Sequence, residues 1–432
     1  MRIVVATFGS LGDLHPYIAI ALGLQARGHV PIVAAAECYR TKIEGLGLEF
    51  RPVRPDCALI SDPVVMRRLM HPNWGMMRII REVLMPSLPE AYEDTLAAVE
   101  GTDLLVASSA VYAARLVAEK IGLPWVSAMH IPMGFFSAHD PPLLPGAPVF
   151  SKCLLPFGPA LWKPLGGFLK WATRSWAKPW HRLRQQIGLP PINNENPLVD
   201  GHSPLLHLAL FSKLLADKQC DWPAQTLVTG FPWFQGDAPI GLPADLARFL
   251  DAGPPPIVFT LGTAVAADPG SFYEVSAAAA RQLGRRAVLV LKEPRNCLRS
   301  LPDDIAAVDY APFSELFPRA AAIVHHGGIG TTGLGMRSGR PMLIVPCAWD
   351  QPDNAARAAR LGIARVLPIR QYTPARATAE LRLLLEEPRY AMRALEVGKQ
   401  ICQEDGVEVA CDALEALVKT TPSAEAGAIL AF

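Results

Sequence analysis

Short apolar runs recur along this chain, each followed by a polar or glycine-rich turn and then by a stretch with helical spacing of its apolar positions. The run at residues 3–7 leads into Phe8-Gly9-Ser10-Leu11-Gly12-Asp13 and a helical pattern over residues 14–27. That pattern stops at Gly28-His29, and a second run covers residues 30–35. Strand, helix, strand in this order predicts a parallel sheet with right-handed crossovers. Similar units are expected at residues 104–107 with a helix to 121, and at residues 125–128. Residues 230–256 break the alternation with Gly236, Pro239, Gly241, Pro243 and Pro254-Pro255-Pro256, and read as a linker. Strands then resume at 257–260, 287–291, 322–325 and 342–345, with a helix near 272–283 and further helices to about residue 419.

The expected fold class is therefore α/β, with two doubly wound Rossmann-like domains facing across a cleft. Residues 1–235 form the first domain, 236–256 the linker and 257–432 the second domain, whose last helix is free to pack back on the first. Ligands of such sheets sit at the carboxyl ends of the strands, so the cleft is the expected site. The length of 432 residues suits two cores of roughly 200 residues each. Half of the residues are hydrophobic and 19% are charged, ample material for two buried sheets.

A formal net charge of +1 gives no field for a polyanion, and nucleic acid is not an expected partner. The eight cysteines are scattered, without C-x-x-C or any spacing that points to zinc or a disulfide framework, so a reducing cytoplasm is the simplest compartment. The start reads as a strand and not as a signal peptide. No run reaches the roughly 18 apolar residues of a membrane span. A soluble protein is expected, or one peripheral to the inner face of the membrane.

Between Pro141 and Asn194 there is no acidic residue, while Lys152, Lys163, Lys170, Arg174, Lys178, Arg182 and Arg184 alternate with Phe150, Phe157, Trp162, Phe168, Trp171, Trp176 and Trp180. One reading is a helical insertion packing its aromatics into the first domain. The other is an interfacial segment or an acceptor mouth.

The densest chemical cluster is His325-His326-Gly327-Gly328-Ile329-Gly330-Thr331-Thr332, between an apolar run and a helix. Glycines permit close backbone approach, and a helix N-terminus offers free N–H groups and partial positive charge to a diphosphate. It is neither a Walker A loop nor G-x-G-x-x-G. Downstream, Trp349-Asp350-Gln351 follow the run at 342–345, where a carboxylate and an amide could read sugar hydroxyls; alone, Asp350 would serve as a helix cap. No D-x-D stands at a strand end and no metal-ligand spacing occurs.

The stretch from Tyr310 to Asn354 resembles the donor-binding region of family 1 glycosyltransferases, and Gly9-Ser10-Leu11-Gly12-Asp13-Leu14-His15-Pro16 is similar to their N-terminal acceptor-side loop. The resemblance covers nearly the whole chain. It runs closest to a bacterial branch with sterol glucosyltransferases and the rhamnosyltransferase of rhamnolipid synthesis, to which Ser137-Ala138-His139-Asp140-Pro141-Pro142 adds. It implies a GT-B architecture and an inverting, metal-independent transfer of a hexose from UDP-glucose or dTDP-rhamnose to a hydroxyl of a small hydrophobic acceptor, with no resident cofactor.

The same resemblance places Thr263, His325, His326, Gly328, Gly330, Thr331 and Thr332 on the diphosphate. Tyr310 and Ala311 then meet the base, and Trp349, Asp350 and Gln351 the sugar. Gly12, Phe135 and His139 face the acceptor. Phe313 and Leu334 stand where plant relatives use polar side chains on the ribose. Asp13 occupies the place of their catalytic histidine and is the expected base, with His15 as rival or helper, while Asp13 as a mere helix cap is the bland alternative. The carboxylate that orients the plant histidine has no counterpart in Ala107-Ser108-Ser109-Ala110. Rival readings are an epimerase or phosphorylase on the same fold, or a degenerate binding protein.

Overall fold

The computed structural model describes residues 1–56, 63–193, 195–234, 236, 241–262, 269–291 and 301–420. Two parallel sheets organise the chain. The first holds β1 (Arg2–Ala6), β2 (Val30–Ala35), β3 (Glu49–Pro52), β4 (Leu104–Ser108), β5 (Trp125–Met129), β6 (His207–Ala209) and β7 (Thr226–Val228), in the order β3-β2-β1-β4-β5-β6-β7. The second holds β8 (Ile257–Thr260), β9 (Ala287–Val290), β10 (Ile305–Val308), β11 (Ala322–His325), β12 (Met342–Ile344) and β13 (Ala364–Val366), ordered β10-β9-β8-β11-β12-β13.

Side chains on a strand alternate between faces, and both faces of each sheet are covered. On β1, Ile3 and Val5 meet Leu14, Tyr17 and Ile18 of the helix Leu11–Ala26, while Val4 and Ala6 meet Leu88, Tyr92 and Leu116 on the other side. On β8, Val258 joins Ile323 and Ile344, and Ile257 and Phe259 join Phe272 and Tyr273.

In each sheet the strand order reverses once, between β1 and β4 and between β8 and β11. At such a switch point the outgoing loops diverge and leave a crevice. Asp13 follows β1, and His326 follows β11, so both lie at these crevices.

Within the expected linker, residues 244–251 form a helix whose Leu246 and Leu250 sit in the second domain's core, so this part of the linker is a structural element of that domain. The last helix, Gly406–Thr420, crosses back to the first domain. Its Ala410, Cys411 and Leu414 lie in that core, and Asp412 and Glu408 pair with Arg27. A side chain at Gly23 would overlap Val407, so the two helices pack at glycine distance.

Contacts also tie the domains at the cleft. Arg357, 3% exposed, pairs with Asp353 on its own helix at 2.7 Å and with Asp140 of the first domain. Asp353 also accepts the Leu143 N–H at 2.9 Å, and Trp349 donates its indole N–H to the Leu69 carbonyl at 2.9 Å. Against the expectation of free thiols, Cys38 is disulfide-bonded. No helix among the described residues is long and apolar enough to cross a membrane.

Candidate active site

Asp13 occupies the first turn of the helix Leu11–Ala26. Its Oδ2 accepts the Ser10 N–H at 2.6 Å and the Ser10 hydroxyl at 2.9 Å, the acidic half of a capping box. Capping and chemistry are compatible here, because Oδ1 is left over. It meets His130 Nε2 at 2.7 Å. Gly9, at φ +135°, makes the turn possible, since a Cβ there would fall inside the Asp13 carboxylate.

His130 follows β5 directly and was missed by sequence reasoning. A lone histidine just past the carboxyl end of a parallel strand, one strand from the switch point, was the available signal. Its ring edge packs on Tyr17, and its Nδ1 is buried without a partner in the protein. Burial would push Asp13 up, but the hydrogen bond and charge of His130 and the two donors of Ser10 prevail and hold it below the usual aspartate range. His130 is lifted in turn: burial opposes its charge, while the bond to Asp13 and the charges of Asp13 and Asp350 favour it.

Asp350 therefore lies within electrostatic reach of both, across the cleft. Burial and the Asp13 charge raise it to about 6, with Asn354 and His130 opposing. Asn354 Nδ2 bridges Asp350 Oδ2 at 2.6 Å and the Gly327 carbonyl at 3.0 Å, so the sugar-side turn is tied to the diphosphate-side loop.

In that loop, the buried His326 ring is sandwiched between two glycines. A Cβ at Gly262 or at Gly328 would approach it to 2.5 Å, and Gly262 and Gly327 adopt φ values of +62° and +94°. Burial lowers His326 to about 4, keeping it neutral, and its Nδ1 has no partner in the protein. A buried orphan nitrogen at the N-terminus of the helix Ile329–Ser338, whose first N–H groups are open, suits an anionic oxygen. Gly330 has open space where a side chain would be, and Thr331 is half-buried beside it.

Several expected contacts fall elsewhere. His325 ends β11 facing inward, fully buried, with Nδ1 accepting the Gly327 N–H at 3.1 Å and Nε2 against Met342 Sδ at 3.3 Å; it shapes the turn and does not reach a ligand. Thr332 is buried, its hydroxyl spent on the Gly328 carbonyl at 3.0 Å, so it does not line the diphosphate site. Phe135 stacks on Trp222 at 3.8 Å between ring centroids and belongs to the core, not to an acceptor surface. His15 packs on Phe234, centroids 4.9 Å apart; two positions from Asp13 on a helix, it points away from that carboxylate.

Gln351 is 2% exposed, and its Oε1 holds the turn by accepting from Cys347 and Ala348, so only its amide nitrogen is left for a sugar. The Trp349 ring is tethered to Leu69, and its φ of +55° is the left-handed conformation that this turn imposes. Tyr310 is 59% exposed past β10, an aromatic face open to stacking, while the adjacent Ala311 is buried and offers backbone only. His139 is exposed, and Gly12 lies in the first turn with Asp13. Thr263 lies outside the described residues. Among the described residues, no group of three or more His, Cys, Asp or Glu could hold a metal ion.

Two parallel-sheet domains with candidate chemistry at both switch points form a GT-B architecture. Residues 3–133 match the glycosyltransferase family 28 N-terminal domain, and residues 278–417 match the erythromycin biosynthesis protein CIII-like C-terminal domain. An O-mycaminosyltylonolide 6-deoxyallosyltransferase of Streptomyces fradiae is 34% identical over 98% of this chain and 99% of its own. The vancomycin aglycone glucosyltransferase of Amycolatopsis orientalis is 31% identical over 84% of this chain and 85% of its own. The chain belongs to the family 1 GT-B glycosyltransferases. Among solved structures, a calicheamicin glycosyltransferase shares the fold with a TM-score of 0.72 at 18% identity, covering 98% of each chain.

Proposed function

We propose that the enzyme moves a hexose from a nucleoside diphosphate sugar, of the UDP-glucose or dTDP-rhamnose kind, to a hydroxyl of a hydrophobic natural product or sterol, with inversion and without a metal ion. The observation that carries this is the Asp13 carboxylate, held by Ser10 and His130, facing Asp350 across the cleft from the His326 loop. The names of the relatives support the acceptor class: tylonolide and vancomycin aglycone for the bacterial ones, and sterol for a plant one 26% identical over 98% of this chain.

Asp13 takes the proton of the acceptor hydroxyl as the oxygen bonds to the anomeric carbon. The bond from that carbon to the phosphate oxygen breaks in the same displacement, and the electron pair leaves with the diphosphate. Its charge develops against His326 and the N–H groups of the helix Ile329–Ser338, a preorganised field in place of a cation. His130 orients Asp13 and keeps it ionised, ready to accept the proton.

Asp350 is the rival base, because at about 6 it is the more basic carboxylate. The assignment is tested by Asp13→Asn, which keeps the cap geometry. Turnover should fall about 100- to 10,000-fold with nucleotide binding unchanged, whereas near-normal turnover would move the role to Asp350.

A further inference from the structure

The basic, aromatic insertion splits in two in the fold. Trp162 and Trp180 are buried and Trp176 is half-buried against the first-domain core, but Val149, Phe150, Phe157, Phe168 and Trp171 stand out at 58–74% exposure. Phe168 and Trp171 lie on the helix Gly158–Thr173 with ring centroids 5.8 Å apart. The same face continues at three- and four-residue steps into exposed Arg174 and Lys178, and neither has an acidic partner among the described residues.

Arg174 and Lys178 open a cavity of about 390 Å3 that Ser175, His181, Arg184 and Gln185 also line, with no acid in its wall. His181 Nε2 is buried and has no partner in the protein. Burial and then the charges of Arg174, Arg184 and Arg115 lower His181, against Glu195; Arg184 is paired with Glu119, so the cations of this wall without an acidic partner among the described residues are Arg174 and Lys178.

We infer that this face is a docking surface for an anionic phospholipid bilayer, the Phe168 and Trp171 ridge entering the interface while the Arg174–Lys178 cavity receives a headgroup phosphate. Aromatic rings beside lysine and arginine suit the boundary between acyl chains and headgroups. An acid-free segment from Pro141 to Asn194 matches an anionic surface, and a protein partner would have to bring many carboxylates to meet it. The inference does not depend on the proposed reaction.

Flotation of the full chain with phosphatidylcholine vesicles, with and without an equal part of phosphatidylglycerol, is the test. Binding to the anionic vesicles only, weakened by salt, is expected. Arg174→Gln with Lys178→Gln should lower the partition about 30-fold, about fivefold for each charge. Phe168→Ala with Trp171→Ala should abolish it, while turnover of a soluble acceptor stays normal in both variants. Absence of flotation, or flotation indifferent to both pairs of changes, would overturn the inference. So would thermal stabilisation by inorganic phosphate without vesicle binding, or a wild-type dimer that the aromatic pair of changes converts to monomer.

Discussion

Replacing Asp350 by Asn should make the protein more stable and less active. Its carboxylate is raised from the ordinary aspartate value near 4 to about 6, first by burial and then by the Asp13 charge. The folded state thus binds this proton more tightly than the unfolded chain does. For an acid with a raised value, the ionised form carries a cost that is absent below about pH 4, grows between 4 and 6, and is constant above. At about 1.4 kcal/mol per pH unit the cost at pH 7.5 is about 3 kcal/mol at most, because the residue is partly solvated.

Asparagine keeps the volume, and its carbonyl can still accept from Asn354 Nδ2, which now meets Asp350 Oδ2 at 2.6 Å. The variant should therefore unfold at a higher temperature at pH 7.5, by at most about 6 to 12 °C, with roughly half of that gain at pH 5. Calorimetry at the two pH values reads it. A variant less stable than wild type at both would show that the Asp350 charge is held by attraction, and would refute the like-charge account of the cleft. Stability stored against function in this way is common at active sites.

Two further substitutions probe the frame. Gly262→Ala puts a Cβ into the His326 ring at a φ of +62°, so nucleotide affinity measured by calorimetric titration should fall at least about tenfold, and unchanged affinity would detach His326 from the site. Arg357→Ala leaves the buried Asp353 carboxylate with the Leu143 N–H but no cation, while Asp140 keeps Arg360, at a cost of about 3 kcal/mol in urea unfolding; a cost below about 1 kcal/mol would mean the cluster does not hold the domains.

The strands on either side of each switch point were legible because they are fully buried: β1, β4, β8 and β11 read as continuous apolar runs. What went unread are the short strands β3, β7, β10 and β13 at the sheet edges, and β6. The edge strands are only partly buried, unlike the equally short β8, β11 and β12, and so carry a weaker apolar signal. At the site, glycines beside histidines announced a turn after β11, but only strand alternation separates inward His325 from His326. The pairing of Asp13 with His130 joins residues that follow β1 and β5, a long-range contact that no local spacing encodes. Phe135 was misplaced because its stack on Trp222 is equally long-range.

The central claim, a nucleoside diphosphate held by the His326 loop without a metal, is tested most directly by the thermal shift of wild type and His326→Ala with UDP and with dTDP, each in excess magnesium and in chelator. A ligand binding only the folded state at about 100 times its Kd adds about 2.7 kcal/mol. The account predicts a rise with at least one nucleotide, equal with and without magnesium and largely lost in His326→Ala. No rise in wild type with either nucleotide, or a rise that needs magnesium and survives the loss of His326, would contradict it.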